Sequence, residues 1–311
     1  MSKIIVVGSI NMDLVCNVEE FVKPGQTISA LDYNKYPGGK GANQAVALAR
    51  NNDDVTFIGA IGDDDNGHYL KHLLQENNID TSAIVIKDND PTGTAFICVN
   101  KHHENNIIIV HGANYALNKQ DIINAQEHFK SCDAIITQLE INDEVLLETA
   151  KLANKYQKPL FLNPAPSRKI SEEVLKYTFC ITPNQSELQS LTNMPCSTLD
   201  QIMLAARALQ QKYNTHVIVT IGSKGALFVD QTNQRIINSY KVDALDTTAA
   251  GDSFCGALVS NYLQTNSFIE AIKYANGFAA LSVTKKGAIP SIPTNQEALY
   301  FINNQKEYPS S

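Results

Sequence analysis

The stretch Asp246-Thr247-Thr248-Ala249-Ala250-Gly251-Asp252-Ser253-Phe254 joins a carboxylate to a run of small residues, and Gly256-Ala257-Leu258-Val259 continues it as an apolar run that reads as helix. Small side chains let backbone N–H groups crowd around an anion at a helix start, where unpaired amides and the macrodipole both favour negative charge. Asp252 falls in the first turn of that helix, where it can accept a proton from an attacking hydroxyl. A base beside an anion hole points to phosphoryl transfer. A capped helix with one acidic residue has the same few letters, so the weight of the reading rests on the company the stretch keeps.

That company is three further polar stretches: Gly38-Gly39-Lys40-Gly41-Ala42-Asn43, Asn184-Gln185-Ser186-Glu187, and Thr220-Ile221-Gly222-Ser223-Lys224-Gly225. The first is not a Walker A loop, because its Lys lies between glycines rather than before Ser or Thr. Its glycines permit close backbone approach to a ligand, Lys40 reaches anionic oxygens, and Asn43 donates and accepts with a polyol. Asn11 and Asp13, following the first apolar run, offer an amide and a carboxylate suited to sugar hydroxyls. Either one alone is equally an Asx turn. The turn at 8–13 lacks G-x-G-x-x-G, which removes the main support for a nicotinamide-dependent oxidoreductase.

The elements that must position these residues alternate along the chain. Strand-like runs at 3–8, 55–61, 134–138, 160–163, 179–182 and 217–220 alternate with helical patterns at 44–51, 68–77, 120–130, 144–156 and 199–213. Such alternation predicts an α/β fold with a mostly parallel sheet and helices on both faces. Glu140, Asn163, Asn184 and Gly222 sit where strands stop and are expected to share one rim. Two regions break the rhythm, about 13–37 and 92–111. Their short extended pieces are expected to pair as one small antiparallel sheet that protrudes as a lid, with apolar faces that a partner would cover. His102 and His103 fall in the polar turn of the second region and read as solvated. The loop at 62–67 lacks the ligand pattern of an EF-hand and reads as a helix-capping turn.

At 311 residues the chain easily buries a core. A net charge of −7 with a pI near 5.5 argues against nucleic-acid or membrane-surface partners. The apolar run at 4–7 is too short for a signal core or a span, so a soluble, cytoplasmic protein is expected. Six cysteines without C-x-x-C spacing argue against zinc. Cys255 has two readings: a thiol made reactive by the nearby helix start, or plain burial, with burial favoured.

In order and spacing these motifs resemble the ribokinase branch of the ribokinase/fructokinase (pfkB-type) sugar kinases over nearly the whole chain, from Gly8-Ser9-Ile10-Asn11 to Lys286-Gly287-Ala288. The resemblance implies a single kinase domain over 1–311, a three-layer α/β/α body with the lid above it, and a homodimer through that lid. It implies that Asn11, Asp13, Gly39, Lys40, Gly41, Asn43, Glu140 and Asp252 bind the sugar, and that Asn184, Thr220, Gly222, Ser223, Gly225, Gly251 and Asn276 bind ATP. Ala249, Ala250 and Gly251 would form the anion hole and Asp252 would be the base. Glu187 would hold Mg²⁺ through water, and an activating K⁺ would sit among Asp246, Thr248, Ser282, Lys285, Gly287 and Ser291. The general family pattern D-T-x-G-A-G-D has Gly where this chain has Ala249, a change that points to the ribokinase branch.

The implied reaction is ATP-dependent phosphorylation of D-ribose at its 5-hydroxyl. A deoxyribokinase or fructokinase remains the nearest alternative; the polar set Asn11, Asp13, Lys40 and Asn43 argues against an adenosine kinase. A non-catalytic sugar sensor would have no need of Asp252 beside an anion hole.

Overall fold

The computed structural model describes residues 1–102 and 104–305, so His103 lies outside the described residues. The strands are β1 (Lys3–Val7), β2 (Asn11–Asn17), β3 (Asp32–Gly38), β4 (Asp54–Gly62), β5 (Ile84–Lys87), β6 (Gly93–Val99), β7 (Asn105–Val110), β8 (Ala134–Thr137), β9 (Leu160–Leu162), β10 (Cys180–Ile181), β11 (His216–Thr220), β12 (Ala226–Val229) and β13 (Gln234–Ile237). Nine of them form one sheet in the order β13-β12-β11-β10-β9-β8-β1-β4-β5. Pairing is parallel from β11 to β5, while β12 and β13 add an antiparallel edge.

Strands buried on both faces need apolar residues at every position, not alternate ones. In β1, Ile4 and Val6 join a core with helices Lys40–Arg50, Ala250–Thr265 and Phe268–Ser282, while Ile5 and Val7 join a second core with helices Asp143–Lys155 and Leu199–Tyr213. The three-layer α/β/α architecture follows from that division. Because β1 is flanked by β4 on one side and β8 on the other, the chain's direction of winding reverses there, which is where open α/β sheets collect ligands.

The small sheet runs β3-β2-β6-β7 and is mixed rather than antiparallel throughout. β2 and β6 pair in parallel, with Asn11 opposite Gly93 and Asn17 opposite Val99. Both strands leave the same rim of the large sheet, one following β1 and the other β5, so they must run the same way. The patterned helix at 120–130 is two short helices, Lys119–Asn124 and Gln126–Ser131, meeting at Ala125. The loop at 62–67 does cap a helix: Asp64 accepts from the Gly67 amide at 2.8 Å. His102 is exposed, its amide donating to Asn100 Oδ1. Strands β5, β12 and β13 escaped the sequence pattern, the first and last being short and only partly buried.

Helices Lys40–Arg50 and Ala250–Thr265 cross at Gly256, where a Cβ would lie 2.6 Å from Ala47 Cβ and 3.1 Å from the Gln44 carbonyl oxygen. Gly256→Ala is expected to destabilise the fold by about 1–3 kcal/mol through overpacking. The check is a denaturant midpoint that falls with an unchanged m-value.

Candidate active site

Two helix N-termini meet at the rim. Helix Lys40–Arg50 starts from Gly39 at φ 91°, a conformation suited to Gly. A Cβ there would come within 2.8 Å of the Asn11 amide nitrogen, so Gly39 lets the helix start press against the β1–β2 turn. The Ala42 amide donates to the Ser9 carbonyl oxygen at 2.9 Å, and a Cβ on Gly41 would meet Ser9 backbone at 2.7 Å. Glu140 Oε2 accepts from Ser9 Oγ at 2.5 Å and from the Lys40 amide at 3.1 Å, which places a carboxylate at the positive end of this helix.

Helix Ala250–Thr265 starts from Ala249 at φ 59°, a left-handed conformation that costs a residue with a Cβ roughly 1–2 kcal/mol. The Ala250 amide donates to the Thr247 carbonyl at 3.2 Å and the Ser253 amide to Ala249 at 2.8 Å. The Gly251 and Asp252 amides, at the start of the helix, have no such partner among the described residues, whereas Ala250 is committed to its turn. A Cβ on Gly251 would meet nothing within 4 Å, so this residue opens directly onto the adjoining cavities.

Asp252 is 5% exposed. Asn43 Nδ2 donates to its Oδ2 at 2.9 Å and Gln44 Nε2 to its Oδ1 at 3.1 Å. Burial raises its pKa against the pull of Lys40, Asn43 and Gln44. Lys40 in turn is raised, chiefly by the Asp252 charge, and stays an ammonium. Asn43 Oδ1 is buried without a partner among the described residues, an acceptor that fits a ligand hydroxyl.

Asp13 lies close enough to Glu140, Lys40 and Asp252 to feel all three charges. Its carboxyl is pushed up to about 7, by burial first and then by Glu140. A Cβ on Gly38 would sit 2.5 Å from Asp13 Oδ2, so only glycine leaves room for it. Asn11 is buried, its Oδ1 accepting from Asn114 Nδ2 at 2.7 Å. The polar set read as sugar-binding thus converges around Asp252.

Asp252 also lines the smaller of two adjoining cavities. One of about 230 Å³ is lined by Lys40, Asn163, Asn184, Glu187, Ala249, Ala250, Gly251 and Asp252, among others. A second, of about 380 Å³, shares Thr220, Thr247, Ala250 and Gly251 with it and extends over Gly222, Ser223, Gly225 and Asn276. Its apolar wall, which the sequence reading did not name, includes Tyr240, Val242, Ala244, Ala279, Ala280 and Val283. Asn276 Nδ2 donates to the carbonyls of Ile237 and Asn238, so that amine holds the wall in place.

Asn184 and Glu187 form a reciprocal capping box: Asn184 Oδ1 accepts from the Glu187 amide at 2.9 Å and Glu187 Oε2 from the Asn184 amide at 2.8 Å. The cap and the cavity lining are one feature. The largely buried Glu187 carboxyl is raised by that burial, and as a hard oxygen donor facing the small cavity it suits a cation that keeps most of its waters. Cys255 is buried, its thiol pushed up to about 12, and contacts Thr182 Oγ1 at 3.2 Å; burial, not activation, decides its chemistry.

The loop before Ala249 is tied to the segment after helix Phe268–Ser282. Asp246 Oδ1 accepts from the Thr248 amide and hydroxyl, and Oδ2 from the Gly287 amide at 2.9 Å. Burial alone would raise this carboxyl, but those bonds hold it below its ordinary value. Ser282 and Ser291 donate their hydroxyls to Ala279 and Ala288 carbonyls, which leaves their oxygen lone pairs available to a cation. The Lys285 ammonium instead pairs with Glu297 at 2.9 Å, so only its carbonyl suits such a site.

The sequence profile of the pfkB family carbohydrate kinases matches residues 1–295. The chain belongs to the pfkB family of carbohydrate kinases. The kinase is 40% identical over 96% of its length to the ribokinase of Haemophilus influenzae, covering 98% of that protein. It is 36% identical over 94% of its length to a deoxyribokinase of Salmonella typhimurium, covering 96% of it. Its structure resembles that of Arabidopsis thaliana ribokinase complexed with ribose and ATP, with a TM-score of 0.92 at 31% identity, covering 97% of this chain and 98% of that one.

Sequence reasoning missed Ser9, Gln44, Asn114, Gln138 and, as a contact of the base's partners, Asn163. Each bonds to a residue that was singled out or to its immediate partner, a role that spacing cannot signal. The raised Asp13 carboxyl sets the sign of a pH dependence. Between pH 4 and 7 the folded state keeps a proton that the unfolded chain has lost, so stability falls as pH rises through that window. Asp13→Asn is expected to raise Tm at pH 8 by roughly 2–4 °C, with the gap closing toward pH 4; thermal melts at both values check it.

Proposed function

We propose that the kinase transfers the γ-phosphoryl group of ATP to the primary 5-hydroxyl of D-ribose, giving ribose 5-phosphate. One observation carries the reading: Asp252 bonds Asn43 and lies within reach of the Asp13 and Lys40 charges while it lines, with Lys40, Gly251 and Glu187, the small cavity. The ribose-and-ATP complex of a relative with the same fold supports it.

The sugar hydroxyls bind Asn11, Asp13, Asn43 and Glu140, with Gly39 and Gly41 giving the backbone its close approach. Asp252 takes the proton of the 5-hydroxyl as its oxygen attacks the γ-phosphorus in line. The Gly251 and Asp252 amides and the Lys40 ammonium stabilise the charge on the transferring oxygens. ATP lies along Asn184, Thr220, Gly222, Ser223 and Gly225, its base in the apolar cavity beside Asn276. Mg²⁺, held through water at Glu187, would neutralise phosphate charge. K⁺ among Asp246, Thr248, Ser282, Gly287 and Ser291 oxygens, with the Lys285 carbonyl, would set the conformation of the loop that ends at Ala249.

We read the chain as one kinase domain over 1–311 with its lid from about 13–37 and 92–111, acting in the cytoplasm. Edge strand β7 exposes every residue, Ile108 by 68%, and Phe96 on β6 is 46% exposed. An apolar edge of this kind is suited to covering by a second copy, hence a homodimer through the lid. Deoxyribose is the nearest alternative substrate, on the strength of the deoxyribokinase relative.

Release of ADP with D-ribose, 2-deoxyribose and fructose, each with ATP and Mg²⁺, tests the reading. Ribose is expected to turn over fastest and faster in K⁺ than in a large inert cation. Faster turnover of deoxyribose would reassign the substrate, and binding without turnover of any sugar would make the protein a sensor. Gly251→Ala, whose methyl meets no protein atom but enters the cavities the residue lines, is expected to keep its Tm and lose about 10²-fold in kcat by displacing the phosphoryl group.

A further inference from the structure

We infer that Gln44 is a positioning residue for the base: it fixes the Asp252 carboxylate in place and favours its ionised form, and its own orientation is set by Gln138. The inference rests on Asp252 being the proton acceptor of the proposed reaction.

Gln44 is fully buried one residue after Asn43, on the inner face of helix Lys40–Arg50. Its Nε2 donates twice, to Asp252 Oδ1 at 3.1 Å and to Asn163 Oδ1 at 3.2 Å. Its Oε1 accepts from Gln138 Nε2 at 2.6 Å. Asn163 is itself fixed, its Nδ2 donating to the Thr182 carbonyl at 3.1 Å. Both N–H donors of the Gln44 amide and one lone pair of its oxygen are thereby assigned. Flipping it would aim its oxygen at two acceptors and its amine at the Gln138 amine, leaving all four groups mispaired in a dry environment. Asn43 holds Oδ2 from the same helix, so the two neighbours grip the two oxygens separately.

The titratable groups facing Asp252 are Lys40 on that helix, Asp13 on β2, Glu140 after β8, Glu187 on helix Gln185–Thr192, and the neutral Cys255 thiol on its own helix. Lys40 is the one cation among them. Against three carboxylates and full burial, the Lys40 charge first and then the hydrogen bonds from Asn43 and Gln44 favour the ionised form. Asn43 also has an unpartnered oxygen for the sugar, whereas Gln44 lines neither cavity and bonds Asp252, Asn163 and Gln138. Removing Gln44 therefore acts on the base and not on ligand contacts.

The test is the pH dependence of kcat for Gln44→Met, which keeps length and volume but has no donor, alongside Gln44→Glu and Gln138→Met. Gln44→Met is expected to lower kcat by roughly 10- to 100-fold and to move the acidic limb of the profile upward by on the order of one pH unit. KM for ATP is expected to stay within about twofold. Gln44→Glu, the same shape with an added acid, is expected to move the limb further, and it reads the effect if the methionine variant does not fold. Gln138→Met is expected to give a smaller shift of the same sign. A fall in kcat with the limb unmoved, or no change at all, overturns the inference. If the unaltered kinase turns over none of the sugars, the proposed reaction fails first, and the two failures are thus distinguished.

Discussion

The structure depends on how one carboxylate is held where water cannot reach it. Asp252 is 5% exposed, and moving an ion into such a place costs several kcal/mol unless protein dipoles and counter-charges replace its hydration. Lys40, Asn43 and Gln44 supply that replacement, and all three sit in the first two turns of a single helix. The packing of that helix against Ala250–Thr265, with Gly256 set against Ala47, is therefore an electrostatic device as well as a core contact. Separating the helices would cost apolar burial and strand the charge at once.

Several unusual backbone choices serve the same end. Gly39 at φ 91° and Ala249 at φ 59° start the two helices abruptly, so their amides and first-turn side chains face one another across the rim. Glu140 completes the arrangement by placing its carboxylate against Ser9 and the Lys40 amide. The cost appears in the sugar-free protein as an Asp13 carboxyl with a pKa of about 7 and a buried, unpartnered Asn43 oxygen. Those groups are poorly satisfied within the protein itself, a pattern common where stability is exchanged for function.

Much of this was legible beforehand, and for physical reasons. Buried parallel strands write themselves as continuous β-branched runs such as residues 4–7, and helix starts that bind anions write themselves as small residues beside a carboxylate. The convergence of Asn11, Asp13, Lys40 and Asn43 on Asp252 follows from strands that stop at a common rim. What sequence could not reveal is contact made through side-chain amides. Gln44, Gln138 and Asn163 are separated by 94 and 119 positions from Gln44 outward, and nothing local marks them as neighbours. The parallel β2–β6 pair was hidden likewise, because strand direction is set by where each segment leaves the large sheet. Nor could composition tell that the Ala250 amide is spent on Thr247 while Gly251 and Asp252 keep theirs.

The central claim is that Asp252 moves a proton during transfer and does not merely hold ligands, and Asp252→Asn tests it most directly because size and the hydrogen-bonded shape are kept. Calorimetric titration of D-ribose and of ATP, paired with ADP release by the same preparation, separates binding from chemistry. The account predicts affinities within a few-fold of the parent and turnover lower by at least roughly 10²- to 10⁴-fold. Turnover close to that of the parent, with both ligands bound, would contradict it.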